Sequence, residues 1–257
     1  MIQNISVIAK NAFREAIRDR ILYNLILFVL IITASAIFLG ELSGGQEARV
    51  IVNLGLSSIL LFGAFIAIFV GVGLVWKEIE KKTVYSIFSK PVSRGDFIVG
   101  KYLGLCVTLL ANVLIMGLGV SIALIYVGGG QFIGPVWGSI LLIFLELTII
   151  TATAIMFSSF STPALSALLT FSMFIIGNFS SSLRELAEGI GSKSAILFFN
   201  AIYYLLPNLS NFSFITNSAN GGVPTSRMIF GAVGYALVYD VVILTLTIVI
   251  FSRRNFK

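Results

Sequence analysis

The sequence predicts an all-α integral membrane protein with six transmembrane helices and both termini in the cytoplasm. Three observations predict it: the composition, the length of the apolar runs and the distribution of positive charge. Of the 257 residues, 58% are hydrophobic and 11% are charged, whereas a soluble domain carries about 25% charged residues. With a mean hydropathy of +1.03, the chain has too little polar surface to cover a water-soluble fold.

Six apolar runs are long enough to cross a bilayer, which takes about 20 residues in a helix. They lie at residues 21–40, 52–76, 98–127, 136–158, 163–180 and 229–251. A seventh run, residues 194–206, is short and is followed at once by Pro207, so we interpret it as interfacial or re-entrant. The whole chain, residues 1–257, is therefore predicted to be a single transmembrane domain.

Positive charge predicts the orientation, because Lys and Arg are enriched in cytoplasmic connectors. With six spans, thirteen of the seventeen basic residues fall on one side: Lys10, Arg14, Arg18, Arg20, Lys77, Lys81, Lys82, Lys90, Arg94, Lys101, Arg253, Arg254 and Lys257. A seventh crossing would move the last three outside and break this bias. The basic residues flank membrane spans and form no separate basic domain, so a nucleic acid is not expected as a partner.

Residues 1–20 are predicted to form an amphipathic helix. Its apolar side is formed by Ile5, Ile8, Ala9, Ala12, Phe13, Ala16 and Ile17, which recur at helical spacing. Its cations lie on another face and suit anionic membrane lipid, so the helix is expected at the inner headgroup layer. For the charges alone, an ordinary juxtamembrane anchor is favoured over any specific role.

The connector between the second and third spans holds the densest charge, with three lysines and two glutamates in residues 77–82. Read as a helix over 77–90, it has one apolar side, and Pro91 should end it. It is either a solvated loop that enforces topology or a helix that docks on a partner protein. Glu78 and Glu80 favour docking, because a topology signal needs only Lys and Arg.

The stretch WKEIEKKTVYSIFSKPVSRGDFIVGKYLG, residues 76–104, resembles the corresponding segment of ABC-transporter permeases of the ABC-2 type. It is similar in particular to the branch that includes the nitrous-oxide-reductase maturation permease. The shared pattern is an acidic pair, a Thr, a "SKP-SR" turn, an aromatic residue and "GK-LG". Weaker similarities, "FREAIRDR", "LLPNLSNF" and the ending "F-RR", extend the resemblance over nearly the whole chain.

The resemblance implies a non-catalytic permease subunit in the inner membrane of a prokaryote. It also implies a homodimer of permeases with two copies of an ATP-binding-cassette ATPase, and export driven by alternating access. ATP and magnesium belong to the ATPase, since this chain has no GxxxxGK[ST] loop; no cofactor or metal is expected here. An accessory protein outside the membrane is left open as a further partner.

The resemblance also assigns roles to two connectors. The 77–90 helix becomes the coupling helix that seats in the ATPase, with its expected contacts at Lys77, Glu78, Glu80, Lys81, Thr83, Ile87, Lys90, Pro91 and Arg94. Short helices between spans five and six, within residues 181–228, become an outer gate. Its expected residues are Phe198, Tyr203, Pro207 and Asn208.

Three polar residues fall inside predicted spans: Asn112, Glu146 and Asp240. Such groups are costly in a membrane and face a bundle interior or a wet cavity. They either line a translocation path or lock helices together. Hydroxyl groups close in sequence are the expected hydrogen-bond partners, namely Thr148, Thr151, Thr153, Tyr235 and Tyr239.

Three other functions compete with a permease. An ion-coupled secondary carrier would use the two intramembrane carboxylates, but the chain shows no internal repeat. An intramembrane enzyme is disfavoured, because the sequence has no His, one Cys and no nucleophile placed beside a base. A membrane scaffold that positions partners and transports nothing remains an alternative.

Overall fold

The computed structural model describes residues 2–18, 20–41, 43–80, 93–180, 182, 203 and 206–253. Over these residues the chain forms helices joined by turns, without a strand. The helices are α1 (Ile2–Ile17), α2 (Arg20–Glu41), α3 (Glu47–Glu80), α4 (Arg94–Tyr126), α5 (Ile133–Ser158), α6 (Pro163–Asn178), α7 (Ile215–Ala219) and α8 (Ser226–Arg253). Short 3₁₀ turns lie at Gly130–Phe132 and Leu209–Phe212. The all-α prediction is confirmed for the described residues.

Each of the six apolar runs forms one helix. Four of these helices, α3, α4, α5 and α8, are long and apolar enough to cross a membrane. The 16 residues of α6 give a helix of about 24 Å, which is shorter than the ~30 Å hydrocarbon core. In α2 the apolar part is Leu25–Gly40. The count of six spans therefore remains a prediction that rests on α2 and α6.

Local sequence explains where the helices begin and turn. The Ser93 hydroxyl accepts a hydrogen bond from the backbone N–H of Asp96 at 3.0 Å, which caps the start of α4. Pro163 occupies the first turn of α6, where its missing N–H costs nothing. Between α2 and α3 the chain reverses through Gly44 and Gly45, both with positive φ, a conformation that strains residues with a side chain.

The bundle is built around α5, which packs against α3, α4, α6 and α8. The most apolar window of α5 is 72% buried, whereas that of α8 is 22% buried. We call the end that contains Glu80, Arg94 and Arg253 the connector end, and the end that contains Gly45, Gly128 and Ser226 the loop end.

The N-terminal helix is amphipathic as predicted, but protein covers part of its apolar side. It packs along α4, and Ala12 and Ala16 are fully buried. Lys10 and Arg14 are exposed on the other side. One side of α1 therefore packs into the helix bundle, and the side with Lys10 and Arg14 is exposed.

Several predicted features lie outside the described residues. They include residues 81–92, with Lys81, Thr83, Ile87, Lys90 and Pro91 of the predicted coupling helix, and residues 183–202, with Phe198 of the predicted gate. The described part of the connector, residues 77–80, continues α3 without a break.

Candidate functional site

A buried lysine joins three helices at the connector end. Lys101 of α4 is 4% exposed, and its Nζ donates to Glu15 of α1 and to Glu78 of α3, both at 3.1 Å. Two carboxylates around one ammonium offset its desolvation, which a single distant partner would not do. Glu15 and Glu78 keep contact with solvent, at 40% and 22% side-chain exposure. The trio fixes α1 and the end of α3 to the first turns of α4.

Two glycines bring α1 close enough for this contact. A Cβ on Gly100 would lie 2.7 Å from the Ile8 side chain, and one on Gly104 would lie 2.5 Å from the Ala9 carbonyl oxygen. Any side chain at these positions would push α1 away from α4. The "GK-LG" part of the sequence pattern thus combines a groove for α1 with the lysine that pairs across it.

The other side of the connector is fixed to the last helix. The Arg94 guanidinium donates to the carbonyl oxygens of Phe251 at 3.0 Å and Ser252 at 2.5 Å. These carbonyls end α8, so the cation meets the negative end of the helix dipole. Phe97 stacks on Phe251 with ring centroids 5.8 Å apart. The start of α4 and the end of α8 are therefore held together at the connector.

The remaining described coupling residues lie at the end of α3. Lys77 and Glu80 are exposed. Lys77 borders a cavity of about 180 Å³ that Glu15 and Gly73 also line. Glu78, by contrast, faces Lys101. Of the two glutamates, Glu80 is thus the one that presents its side chain to the surroundings.

Inside the bundle, Glu146 of α5 is held by Asn178 of α6. Glu146 is 1% exposed, and the Asn178 Nδ2 donates to its Oε1 at 2.7 Å. The predicted partners Thr151 and Thr153 donate instead to carbonyl oxygens of their own helix. Their expected role toward Glu146 is wrong, because a mid-helix Thr hydroxyl reaches the preceding turn most easily.

Asp240 of α8 has neighbours from two other helices. The hydroxyls of Tyr102 in α4 and Thr148 in α5 lie beside its carboxyl group. The sequence analysis named Thr148 as a hydrogen-bond partner for the polar residues inside the spans, but it did not name Tyr102. Asp240 and Asn112 are 6% and 4% exposed, and each keeps one side-chain polar atom without a hydrogen-bond partner in the described part of the chain.

At the loop end, Asn208 connects the segment before α7 to α6 and α8. Its side-chain oxygen accepts from Ser180 at 2.6 Å, and its Nδ2 donates to the Tyr203 hydroxyl at 3.1 Å. Its backbone N–H donates to the Tyr235 hydroxyl at 2.7 Å. Pro207 is buried beside it. Tyr203, Pro207 and Asn208 of the predicted gate thus form one packed unit.

Sequence reasoning missed an aromatic groove between α3 and α6. It has a volume of about 320 Å³ and is lined by Phe65, Ile68, Phe69, Ala167, Leu168 and Phe171. Phe65 stacks on Phe171 with centroids 5.9 Å apart. Helical spacing within the second apolar run could have shown that Phe65, Ile68 and Phe69 share one face of α3. That this face packs against α6 is visible only in the structure.

The long apolar helices and the polar contacts between them define a multi-pass membrane protein. The family model for "ABC-2 family transporter protein" matches residues 6–256. The chain therefore belongs to this family, as a membrane permease subunit of an ABC transporter that associates with an ATP-binding-cassette ATPase. A comparison with curated proteins finds no match to this chain.

Proposed function

We propose that this chain is the non-catalytic permease of an ABC exporter in a prokaryotic inner membrane. Two copies pair, and two copies of a separate ATPase bind ATP and magnesium and drive alternating access. Both termini and the 77–90 connector face the cytoplasm. The outer gate, at the other side, includes Tyr203, Pro207 and Asn208.

The observation that carries the proposal is the anchoring of the connector on both sides. Glu78, in its first turn, pairs with Lys101, and Arg94, after its last residue, caps α8. A force on residues 81–92 would therefore reach α1, α3, α4 and α8 together. A loop that only enforced topology would need no such attachments, since charge alone serves that purpose.

The surface offered to the ATPase then includes Lys77 and Glu80, with Lys81, Thr83, Ile87, Lys90 and Pro91 completing it. Glu78 and Arg94 act inside the permease, by passing the movement to the bundle. Asn112 and Asp240 contribute polar groups to the interior, and the Glu146–Asn178 contact supports the helix-lock role for Glu146.

The test reverses the exposed glutamate. In the permease–ATPase complex, Glu80→Lys should weaken ATPase retention by about tenfold or more, because a like charge placed across a docked surface costs binding energy. Glu80→Gln should give an intermediate loss. Retention is measured by pull-down of the solubilised complex, and coupling by the ATP hydrolysis rate in liposomes.

The control is Asn220→Lys, which introduces the same lysine side chain at an exposed site of the loop end and should leave both readouts unchanged. Unchanged retention and hydrolysis in the Glu80→Lys complex would contradict the coupling role. Transport by the permease alone, driven by a proton gradient, would support the secondary carrier instead.

A further inference from the structure

Two neighbouring cavities at the loop end have no part in the proposed transport cycle. The first is an apolar groove of about 310 Å³ between α2 and α4, lined among others by Leu30, Ala34, Ile37, Gly119, Ile122 and Tyr126. Thr33 also lines it, but its hydroxyl donates to the Val29 carbonyl oxygen at 2.8 Å. Apart from the Tyr126 hydroxyl, the groove therefore offers an apolar ligand a surface of aliphatic side chains and glycine.

The second cavity is a polar pocket of about 450 Å³ formed by the turns at the loop end. It is lined among others by Gln46, Glu47, Arg49, Gly128 and Gln131. Amide and charged side chains from two turns thus converge on one space. This pocket suits a polar or charged group of the ligand.

The groove and the pocket are adjacent. Tyr126 lines the groove, and the next residue, Val127, lines the pocket. The end of α2 also meets the start of α3, since a Cβ on Gly40 would lie 2.9 Å from the Glu47 Cα. Together the cavities form a site that is apolar along the helices and polar where the helices end.

The two charged residues of the pocket have opposite signs and do not neutralise each other. Glu47 and Arg49 are two positions apart at the start of α3, and neither forms an ion pair or side-chain hydrogen bond with a residue in the described ranges. Both residues line the same pocket, and Arg49 is exposed. The pocket therefore presents one acceptor and one donor to a ligand that carries both charges.

We propose that the groove and pocket together bind one zwitterionic phospholipid with a primary ammonium group, of the phosphatidylethanolamine class. An acyl chain occupies the α2–α4 groove, Arg49 binds the phosphate, and Glu47 accepts hydrogen bonds from the ammonium group. A phosphatidylglycerol would leave Glu47 facing a headgroup without a cation. A phosphatidylcholine has a quaternary ammonium group with no N–H to donate.

The experiment measures lipid binding to the delipidated full-length permease by native mass spectrometry. The probes are dioleoyl-phosphatidylethanolamine, dioleoyl-phosphatidylcholine and dioleoyl-phosphatidylglycerol at equal concentration. We expect the first to bind about fivefold more tightly than either of the others, as is reasonable for one partly exposed ion pair. Arg49→Ala should reduce its affinity by a similar factor, and Glu47→Gln should remove the preference over phosphatidylglycerol.

Matched variants separate the site from general effects. Arg227→Ala removes an exposed arginine at the same end of the bundle but outside the pocket and should bind lipid like the parent. Ile122→Trp fills the groove and should lower binding, whereas Leu118→Trp, on an exposed part of α4 outside the groove, should not. Lipid binding by all variants is measured at one temperature, well below the melting temperature of the least stable variant.

Three results would overturn the proposal. The first is equal binding of the three lipids, and the second is equal binding by the Arg49→Ala and Arg227→Ala variants. The third is full competition by glycerophosphoethanolamine, the headgroup without chains, at the concentration of the lipid, since this would show that the groove contributes nothing.

Discussion

Lys101 illustrates how one residue can determine the arrangement of several helices. It is a basic residue at the membrane end of a predicted span, and topology alone accounts for such a charge. Its burial and its two carboxylate partners give it a second role, because the charge is neutralised only when α1, α3 and α4 are in place.

Replacing this lysine should therefore destabilise the bundle. Lys101→Met keeps the apolar stem but leaves Glu15 and Glu78 beside each other without a cation. We expect a loss of about 2 kcal/mol, below the ~3–5 kcal/mol of a fully buried pair, because Glu15 is partly exposed. Unfolding in detergent titrations measures it, with a double-mutant cycle against Glu78→Gln. A coupling energy near zero in that cycle would show that the pair does not stabilise the fold.

The Glu146–Asn178 contact permits a similar test inside the bundle. Asn178→Leu removes the donor and should cost about 1–3 kcal/mol, the penalty for a buried polar group left without its partner. Glu146→Gln retains an acceptor oxygen and should melt close to the parent. If Glu146→Gln folds normally yet abolishes transport, the carboxyl group belongs to the translocation path and the helix-lock role is insufficient.

At the scale of elements, the contact between α1 and α4 depends on glycine. Gly104→Ala should cost about 1–3 kcal/mol by overpacking, since its Cβ would meet backbone and side-chain atoms of α1 within 2.6 Å. Gly234→Ala in α8 is the control, because its Cβ would meet nothing within 4 Å. Melting curves of both variants decide the matter. Equal melting temperatures for the two variants would mean that α1 does not pack on α4 as described.

At the scale of the whole molecule, the charge distribution predicts the orientation of all helices together. After Cys106→Ala, single cysteines at Ser86 and Lys257 should react with a membrane-impermeant maleimide only from the cytoplasmic side. Cysteines at Gln46 and Asn220 should react from the outside, because the predicted six spans put the connector end and the loop end on opposite sides of the membrane. Labelling of position 257 from outside would require an odd number of crossings and a different fold.

The sequence alone determined the positions of the apolar helices and the family. Apolar runs of sufficient length have few alternatives to a helix in a membrane, where every backbone polar group must be bonded within its own segment. The ends of α3 to α6 lie within about five residues of the predicted runs. The connector motif was visible as a local pattern.

Only the tertiary structure decided which residues meet. Nothing in the spacing of Glu15, Glu78 and Lys101 pairs them, because they lie on three different helices and Lys101 by itself looks like a topology charge. Asn178 is 32 residues from Glu146 in the chain, and the hydroxyls that seemed nearest bond to their own backbone. Periodicity specifies one face of one helix, whereas a contact between helices depends on how all of them pack around α5.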